Sequence, residues 1–139
     1  MNYKELPVYK KARELVVGVD RLIKFLSNTP QVREVSRQLF AAATSIGANI
    51  AEGHGRHIGK EYERFLYYAQ GSANEVDHWL HVMKDCRLGP SELIDELIAL
   101  NVEILKLLST TLSTLRRKRM EGMIKEETVE YEAPLTYNP

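Results

Sequence analysis

The chain has 139 residues, 44% of them hydrophobic, and its 19 basic and 19 acidic side chains give a formal net charge of zero. This length and apolar content predict one globular domain with a hydrophobic core. The sequence has no uninterrupted apolar run of membrane-spanning length and no N-terminal secretory signal, so we expect a soluble, cytoplasmic protein. Its single cysteine, Cys86, excludes an internal disulfide.

Two amphipathic helices are predicted in the N-terminal part of the chain. The first begins at Pro7, a residue suited to the first turn of a helix, and repeats apolar residues at spacings of three and four as far as Leu26. The residues up to Pro30 interrupt this pattern as a turn does. The second helix follows from Val32 to Gly53, and its two apolar seams predict contact with two neighbouring helices.

Two further helices are predicted after a short glycine-rich connection, His54–Gly59, which favours an antiparallel return. The third helix runs from Tyr62 to Cys86 with two apolar seams at heptad spacing. Leu88-Gly-Pro-Ser91 then contains a glycine stop and a serine that can cap the next helix. The fourth helix, residues 93–115, is apolar around most of its circumference, which predicts a contact between subunits.

These four helices predict an all-α fold, an antiparallel up-and-down four-helix bundle over residues 1–120 that assembles as a homo-oligomer. Residues 121–139 are acidic, contain Pro134 and Pro139, and show no usable apolar periodicity. We therefore expect this segment to form a flexible C-terminal tail.

Polar residues lie at, or next to, several positions of the second and third helices where the helical periodicity favours apolar residues. Buried polar groups must be paired, so we expect a hydrogen-bonded network that fixes the register of the two helices. The four residues of this predicted network are Asn49, Glu52, Ser72 and Glu75. The alternative is a functional pocket in which a carboxylate with a shifted pKa serves proton chemistry.

Catalytic and metal-binding patterns are incomplete in this sequence. Glu75 and His78 have the spacing of a ligand pair in di-iron bundles, but such a site needs a second pair and further carboxylates. Gly53-His-Gly55 lacks the strand and the Gly-Lys-Ser/Thr ending of a phosphate-binding loop. Ser45 and Ser72 lie on helical seams without a histidine beside them. We therefore expect no enzyme activity, no metal and no cofactor.

Charge is unevenly distributed, with balances of +5, −5, +4 and −4 over residues 1–60, 61–100, 101–120 and 121–139. Two basic groups are candidates for contact with nucleic-acid phosphates, although basic residues at a helix end can also be a solvated terminus. The first group is Arg56, Lys60 and Arg64, around the connection after the second helix. The second group is Arg116, Arg117, Lys118 and Arg119, at the end of the fourth helix.

Three sequence elements resemble a known family. They are Ser45-Ile-Gly-Ala-Asn-Ile-Ala-Glu-Gly53 with Arg56, Glu61-Tyr-Glu-Arg-Phe-Leu66, and Ala69-Gln-Gly-Ser72 with Glu75. They are similar to elements of the four-helix-bundle proteins encoded in intervening sequences of bacterial large-subunit ribosomal RNA genes. Leu6, Val8, Tyr9 and Ala12 also resemble that family's opening segment, so the resemblance covers roughly residues 5–115.

The resemblance implies a homopentamer of up-and-down bundles. Relatives include the accessory variability determinant proteins of diversity-generating retroelements, which are basic pentameric barrels that bind nucleic acid and a reverse transcriptase. By resemblance we expect a non-enzymatic accessory protein that binds RNA or DNA and acts with a reverse transcriptase or another RNA-handling protein. The chain departs from the family at Phe40-Ala41, where relatives often have an Arg pair. A protein-binding scaffold without nucleic-acid contact is therefore the alternative.

Overall fold

A computed structural model describes residues 2–56 and 59–129, with side chains as far as Gly122. A short 3-10 helix, Tyr3–Glu5, precedes four long helices, and the described residues include no strand. The helices are α1 (Pro7–Lys24), α2 (Pro30–Arg56), α3 (Gly59–Asp85) and α4 (Ser91–Val129). The prediction of an all-helical chain with four helices is confirmed.

The helices form an antiparallel ring in which each packs against its two neighbours. α1 contacts α2 and α4, and α3 contacts α2 and α4, whereas no diagonal pair meets within the described residues. Pairs of residues far apart in the sequence show the antiparallel directions. Ser45 of α2 bonds Ser72 of α3, and Lys84 of α3 bonds Asp95 of α4.

The core is a column of aliphatic side chains contributed by all four helices, at the spacings of three and four that the sequence shows. Removing this apolar surface from water is the main stabilising term of the fold. Fully buried members are Leu15, Val19, Leu22, Leu39, Ile46, Ile50, Leu66, Val76, Leu80, Met83, Ile94, Ile104 and Leu108.

The connections differ from the sequence prediction in detail. Much of the predicted loop His54–Gly59 is helical, because α2 continues to Arg56 and α3 begins at Gly59, whose φ is 43°. At the end of α3 the backbone reverses at Arg87, with a φ of 55°, and not at Gly89. The Leu88 amide donates to the Met83 carbonyl at 2.9 Å, which closes a Schellman motif around Arg87.

The predicted end of the fourth helix at Leu115 is wrong, since α4 continues to Val129. The first nine residues of the predicted tail, 121–129, are therefore helical, and residues 130–139 lie outside the described residues. Good helix formers explain the extension: Glu, Met and Lys dominate this stretch, and the first proline after α4 begins is Pro134. Arg117 and Glu121 also form an i, i+4 pair at 4.0 Å.

Most apolar side chains of α4 pack in or against the core of the bundle. By length and mean hydropathy, Ser91–Gly122 meets the criteria for a helix that could cross a membrane. However, Ile94, Leu97, Ile104, Leu108 and Leu112 are buried in the core. A second set packs partly against that core and consists of Leu93, Ile98, Leu100, Leu105 and Leu115.

Candidate nucleic-acid interface

The structure brings the two predicted basic groups to the same end of the bundle. Arg116 Nη1 donates to Tyr67 Oη at 2.9 Å, and Arg119 Nε donates to Glu63 Oε2 at 2.6 Å. The end of the basic run on α4 therefore lies beside the first two turns of α3, which contain Lys60 and Arg64. Two groups that are about fifty residues apart in the sequence form one surface, which we call the basic end.

Arg119 is the member of the basic end that is least available to a ligand. Its side chain is 17% exposed and forms two bonds to Glu63, whose side chain is 7% exposed. A bidentate pair of this kind is strong and directional. The prediction that Arg119 is a phosphate contact therefore meets a competing role, because its guanidinium holds α4 against the start of α3.

Arg56 and Arg64 are half-exposed and each has a carboxylate partner on its own helix. Arg56 pairs with Glu52 at 2.9 Å, and Arg64 pairs with Glu61 at 2.9 Å. Both guanidinium groups also lie against Phe65, at 5.3 and 5.5 Å from the ring centroid. Such exposed pairs are weak, so a phosphate can displace the carboxylate at little cost.

The remaining cations have the most accessible charge. Lys60 and Lys118 are exposed and have no ion-pair partner among the described side chains. Arg116 is exposed, and its one hydrogen bond within the described residues is to the neutral Tyr67 hydroxyl, whereas Arg117 approaches Glu121 no closer than 4.0 Å. Four of the seven predicted cations lie near a carboxylate, so three positive charges of the basic end have no carboxylate partner among the side chains that the structure describes.

The predicted polar network exists in part. Ser72 Oγ of α3 donates to Ser45 Oγ of α2 at 2.9 Å, and Asn49 Nδ2 donates to the same Ser45 oxygen at 3.0 Å. Glu52 and Glu75 do not take part, because both face solvent and bond along their own helices. Glu52 pairs with Arg56, and Glu75 accepts from Trp79 Nε1 at 3.3 Å.

Sequence reasoning missed three polar residues with structural roles: Ser45, Glu63 and Asn101. Ser45 is the centre of the network, and Glu63 lies on a buried seam of α3 that places it under Arg119. Asn101 is fully buried on α4 and donates to the Ala73 carbonyl at 2.8 Å, while its Oδ1 is unpaired in the described structure. Asn101 lies three residues from Ile98 and Ile104 on an apolar face, so the helical spacing could have identified it.

The basic end contains little that suggests chemistry. Burial raises the pKa of the Tyr62 phenol above its ordinary value of 10.0, which makes this side chain a poorer source of a phenolate nucleophile than an exposed tyrosine. Within the described part of the chain, no group of three His, Cys, Asp or Glu side chains is arranged to hold a metal ion. The surface is charged, which suits contact with another macromolecule.

The fold and this surface define an all-helical bundle protein with a basic end. A family model described as "23S rRNA-intervening sequence protein" matches residues 4–110. The chain therefore belongs to the 23S rRNA-intervening sequence protein family, as its Ser45–Gly53 and Glu61–Leu66 elements predict. Residues 111–139, including Arg116 to Arg119, lie beyond the family match.

A solved structure supports this assignment. A protein of unknown function from the S23 ribosomal protein family of Bacteroides thetaiotaomicron is 30% identical, with a TM-score of 0.70. The similarity covers 76% of this chain and 97% of that chain. A comparison with curated proteins gave no match.

Proposed function

We propose that the protein is a non-enzymatic nucleic-acid-binding accessory that holds RNA or DNA against its basic end. The observation that supports this proposal most is the convergence of Lys60 and Arg64 of α3 with Arg116 of α4, through the Arg116–Tyr67 and Arg119–Glu63 bonds. Phosphate contacts release counterions, so several cations on one surface contribute together to affinity. The bound molecule is an RNA element or the template of an RNA-handling enzyme such as a reverse transcriptase.

The test uses three single variants at the cations with accessible charge: Lys60→Gln, Arg116→Gln and Lys118→Gln. Fluorescence anisotropy of a labelled structured RNA and of duplex DNA is recorded over a series of salt concentrations. Each variant should weaken binding and reduce the slope of log affinity against log salt by about 0.7 to 0.9. The control for net charge is Lys24→Gln, which removes the positive charge of the exposed Lys24–Asp20 pair at the opposite end of the bundle.

Two outcomes separate the proposal from its rival. Equal effects of Lys24→Gln and the three basic-end variants would show that net charge alone matters and would place no site at the basic end. No binding of the wild-type protein at low salt would contradict the nucleic-acid proposal and favour a protein-binding scaffold.

We propose further that the protein forms a homo-oligomer, a pentamer by analogy with the family. α4 exposes Val102 and Met120, at 38% and 51%, but Val17 of α1 lines a groove between α1 and α2, so we assign the contact to these two helices. Val17 of α1 is 57% exposed and Phe40 of α2 is 40% exposed. A groove of about 260 Å³, lined mainly by Tyr9, Val16, Val17 and Gly47, separates these two helices. Several copies would repeat the basic end and raise affinity through multivalency.

Sedimentation velocity tests the assembly. The proposal predicts a species of five copies of the 15.9 kDa chain, and Val17→Asp should dissociate it without unfolding the subunit. A wild-type monomer at micromolar concentration would contradict the assembly, and dissociation by Val102→Asp instead would return the contact to α4. Val102 is the matched site because it is 38% exposed.

The protein-binding scaffold is the second candidate, and the neutral net charge favours it. In that case a protein partner should bind the helical surface and the acidic segment 121–139. Deletion of residues 130–139 leaves α4 intact and should abolish the interaction with such a partner, whereas the basic-end variants should leave it unchanged.

A further inference from the structure

A strip of aromatic and arginine side chains crosses the outer face of α3 from α2 to α4. Its aromatic members are Phe65, Tyr67 and Tyr68, and its cations are Arg56, Arg64 and Arg116; we call it the aromatic strip. Tyr67 and Tyr68 are 41% and 50% exposed, and neither belongs to the core. The exposed ring faces of these two tyrosines, which lie next to arginines, do not contribute to the packing of the core.

The rings are held in place before any ligand arrives. The guanidinium groups of Arg56 and Arg64 both lie over the Phe65 ring, and this ring meets the Tyr68 ring edge-on, with centroids 5.5 Å apart and planes at 86°. The two guanidinium groups also pair with Glu52 and Glu61, at 2.9 Å in each case. This packing limits the rotamers of Tyr68, so a ligand that stacks on it loses little affinity to ordering.

Tyr67 is oriented independently on the α4 side of the strip. Its hydroxyl accepts a hydrogen bond from Arg116 at 2.9 Å. Arg116 has no carboxylate partner among the described residues, so its positive charge is available to an anion beside the Tyr67 ring. Lys60 supplies a second uncompensated charge, two turns before Tyr67 on the same helix.

We propose that the aromatic strip binds unpaired nucleotides of a single-stranded nucleic acid, with bases stacking on Tyr68 and Tyr67 and phosphates contacting Arg116 and Lys60. This inference rests on the proposed function and names the class of nucleic acid. Exposed aromatic faces stack on any base, whereas the bases of a duplex are already stacked on one another. A purely phosphate-binding surface would need the cations and not the tyrosines.

A second copy of the chain is a poorer occupant of the strip. Tyrosine and arginine are also frequent in protein interfaces, but in a two-fold contact Arg116 and Lys60 would face the same charges, and the contact of the proposed ring is assigned to α1 and α2 and not to this strip. A polyanion compensates those charges and supplies flat apolar surfaces in one molecule. Charge complementarity therefore favours single-stranded nucleic acid.

The test compares a fluorescein-labelled twelve-nucleotide poly(U) strand with a labelled RNA duplex of twelve base pairs, using the full chain. Tyr68→Leu keeps an apolar side chain at an exposed helical position and removes the ring. Affinity for poly(U) should fall by about tenfold, within the range expected for one stacked base, while duplex affinity and its salt slope stay unchanged. Phe25→Leu is the matched control, since Phe25 is 68% exposed at the opposite end of the bundle.

Sedimentation velocity on Tyr68→Leu completes the experiment. Unchanged poly(U) affinity, or an equal loss for duplex RNA, would overturn the inference while the binding of duplex RNA still supported the proposed function. Dissociation of the oligomer by Tyr68→Leu would show that the strip is a contact between copies and would also overturn it. Failure of the wild-type protein to bind either RNA would remove the proposed function and this inference together.

Discussion

The Glu63–Arg119 pair gives the sharpest prediction about how one basic residue is used. In Arg119→Leu, the Glu63 carboxylate, whose side chain is 7% exposed in the wild-type structure, loses its two bonds of 2.6 and 3.2 Å. Breaking a fully buried pair costs about 3–5 kcal/mol. Glu63 lies in the second turn of α3, so a small movement of its side chain brings the carboxylate into contact with water. This solvation lowers the cost, and we expect a loss of about 2–3 kcal/mol of unfolding free energy.

Urea unfolding followed by circular dichroism, at one fixed protein concentration, measures this loss. Lys118→Leu is the matched control: it removes the neighbouring cation, which has no ion-pair partner among the described side chains, and should change stability by less than about 0.5 kcal/mol. The double variant Glu63→Leu/Arg119→Leu should lose less than the sum of the single losses, because neither charge is left unpaired. Unchanged stability of Arg119→Leu, with RNA affinity reduced as in Lys118→Gln, would refute the structural role and restore Arg119 as a phosphate contact.

Three further predictions concern packing and ionisation. Gly53→Ala places a Cβ 2.9 Å from Phe65 Cβ, which cannot rotate away, so thermal unfolding should show a loss of about 1–3 kcal/mol of unfolding free energy. In the control Gly71→Ala the new Cβ meets nothing within 4 Å, and the unfolding free energy should rise by up to about 1 kcal/mol. A gain in both variants would contradict the close approach of α2 and α3. Asn101→Leu removes an unpaired buried oxygen together with one hydrogen bond. Urea unfolding should therefore give an unfolding free energy within about 1 kcal/mol of the wild type, or above it. A loss of several kcal/mol would contradict this prediction. Burial raises the pKa of Tyr62 above its value of 10.0 in the unfolded chain, so its contribution to the unfolding free energy is complete below pH 10 and is lost as pH rises toward the folded pKa. Tyr62→Phe should therefore flatten the fall of unfolding free energy above pH 10. Identical profiles of unfolding free energy against pH for the variant and the wild type would contradict this prediction.

The helices were largely predictable because their signals are local. Apolar spacing and the prolines at Pro7 and Pro30 start α1 and α2 within a residue or two of their observed bounds. The end of α4 was missed because charged helix formers continue a helix without any apolar stripe. The reversal at Arg87 was missed because a left-handed residue other than glycine has no composition signal.

The candidate site was harder to predict, because its content depends on which residues meet across helices. Periodicity identified Asn49 and Ser72, which lie on facing seams, but Glu52 and Glu75 turn to partners on their own helices. No local signal separates Arg119 from Lys118, although one is locked to Glu63 and the other is exposed. Only the packing of α4 along α3 makes that distinction.

Binding of nucleic acid at the basic end through accessible cations is tested by the salt dependence of structured-RNA binding. This dependence is measured for the wild-type protein and for the combined variant Lys60→Gln/Arg116→Gln/Lys118→Gln. We expect saturable wild-type binding that falls steeply with salt, and weaker binding by the variant with a slope smaller by about 2 to 3. Wild-type and variant curves that coincide at every salt concentration would contradict it.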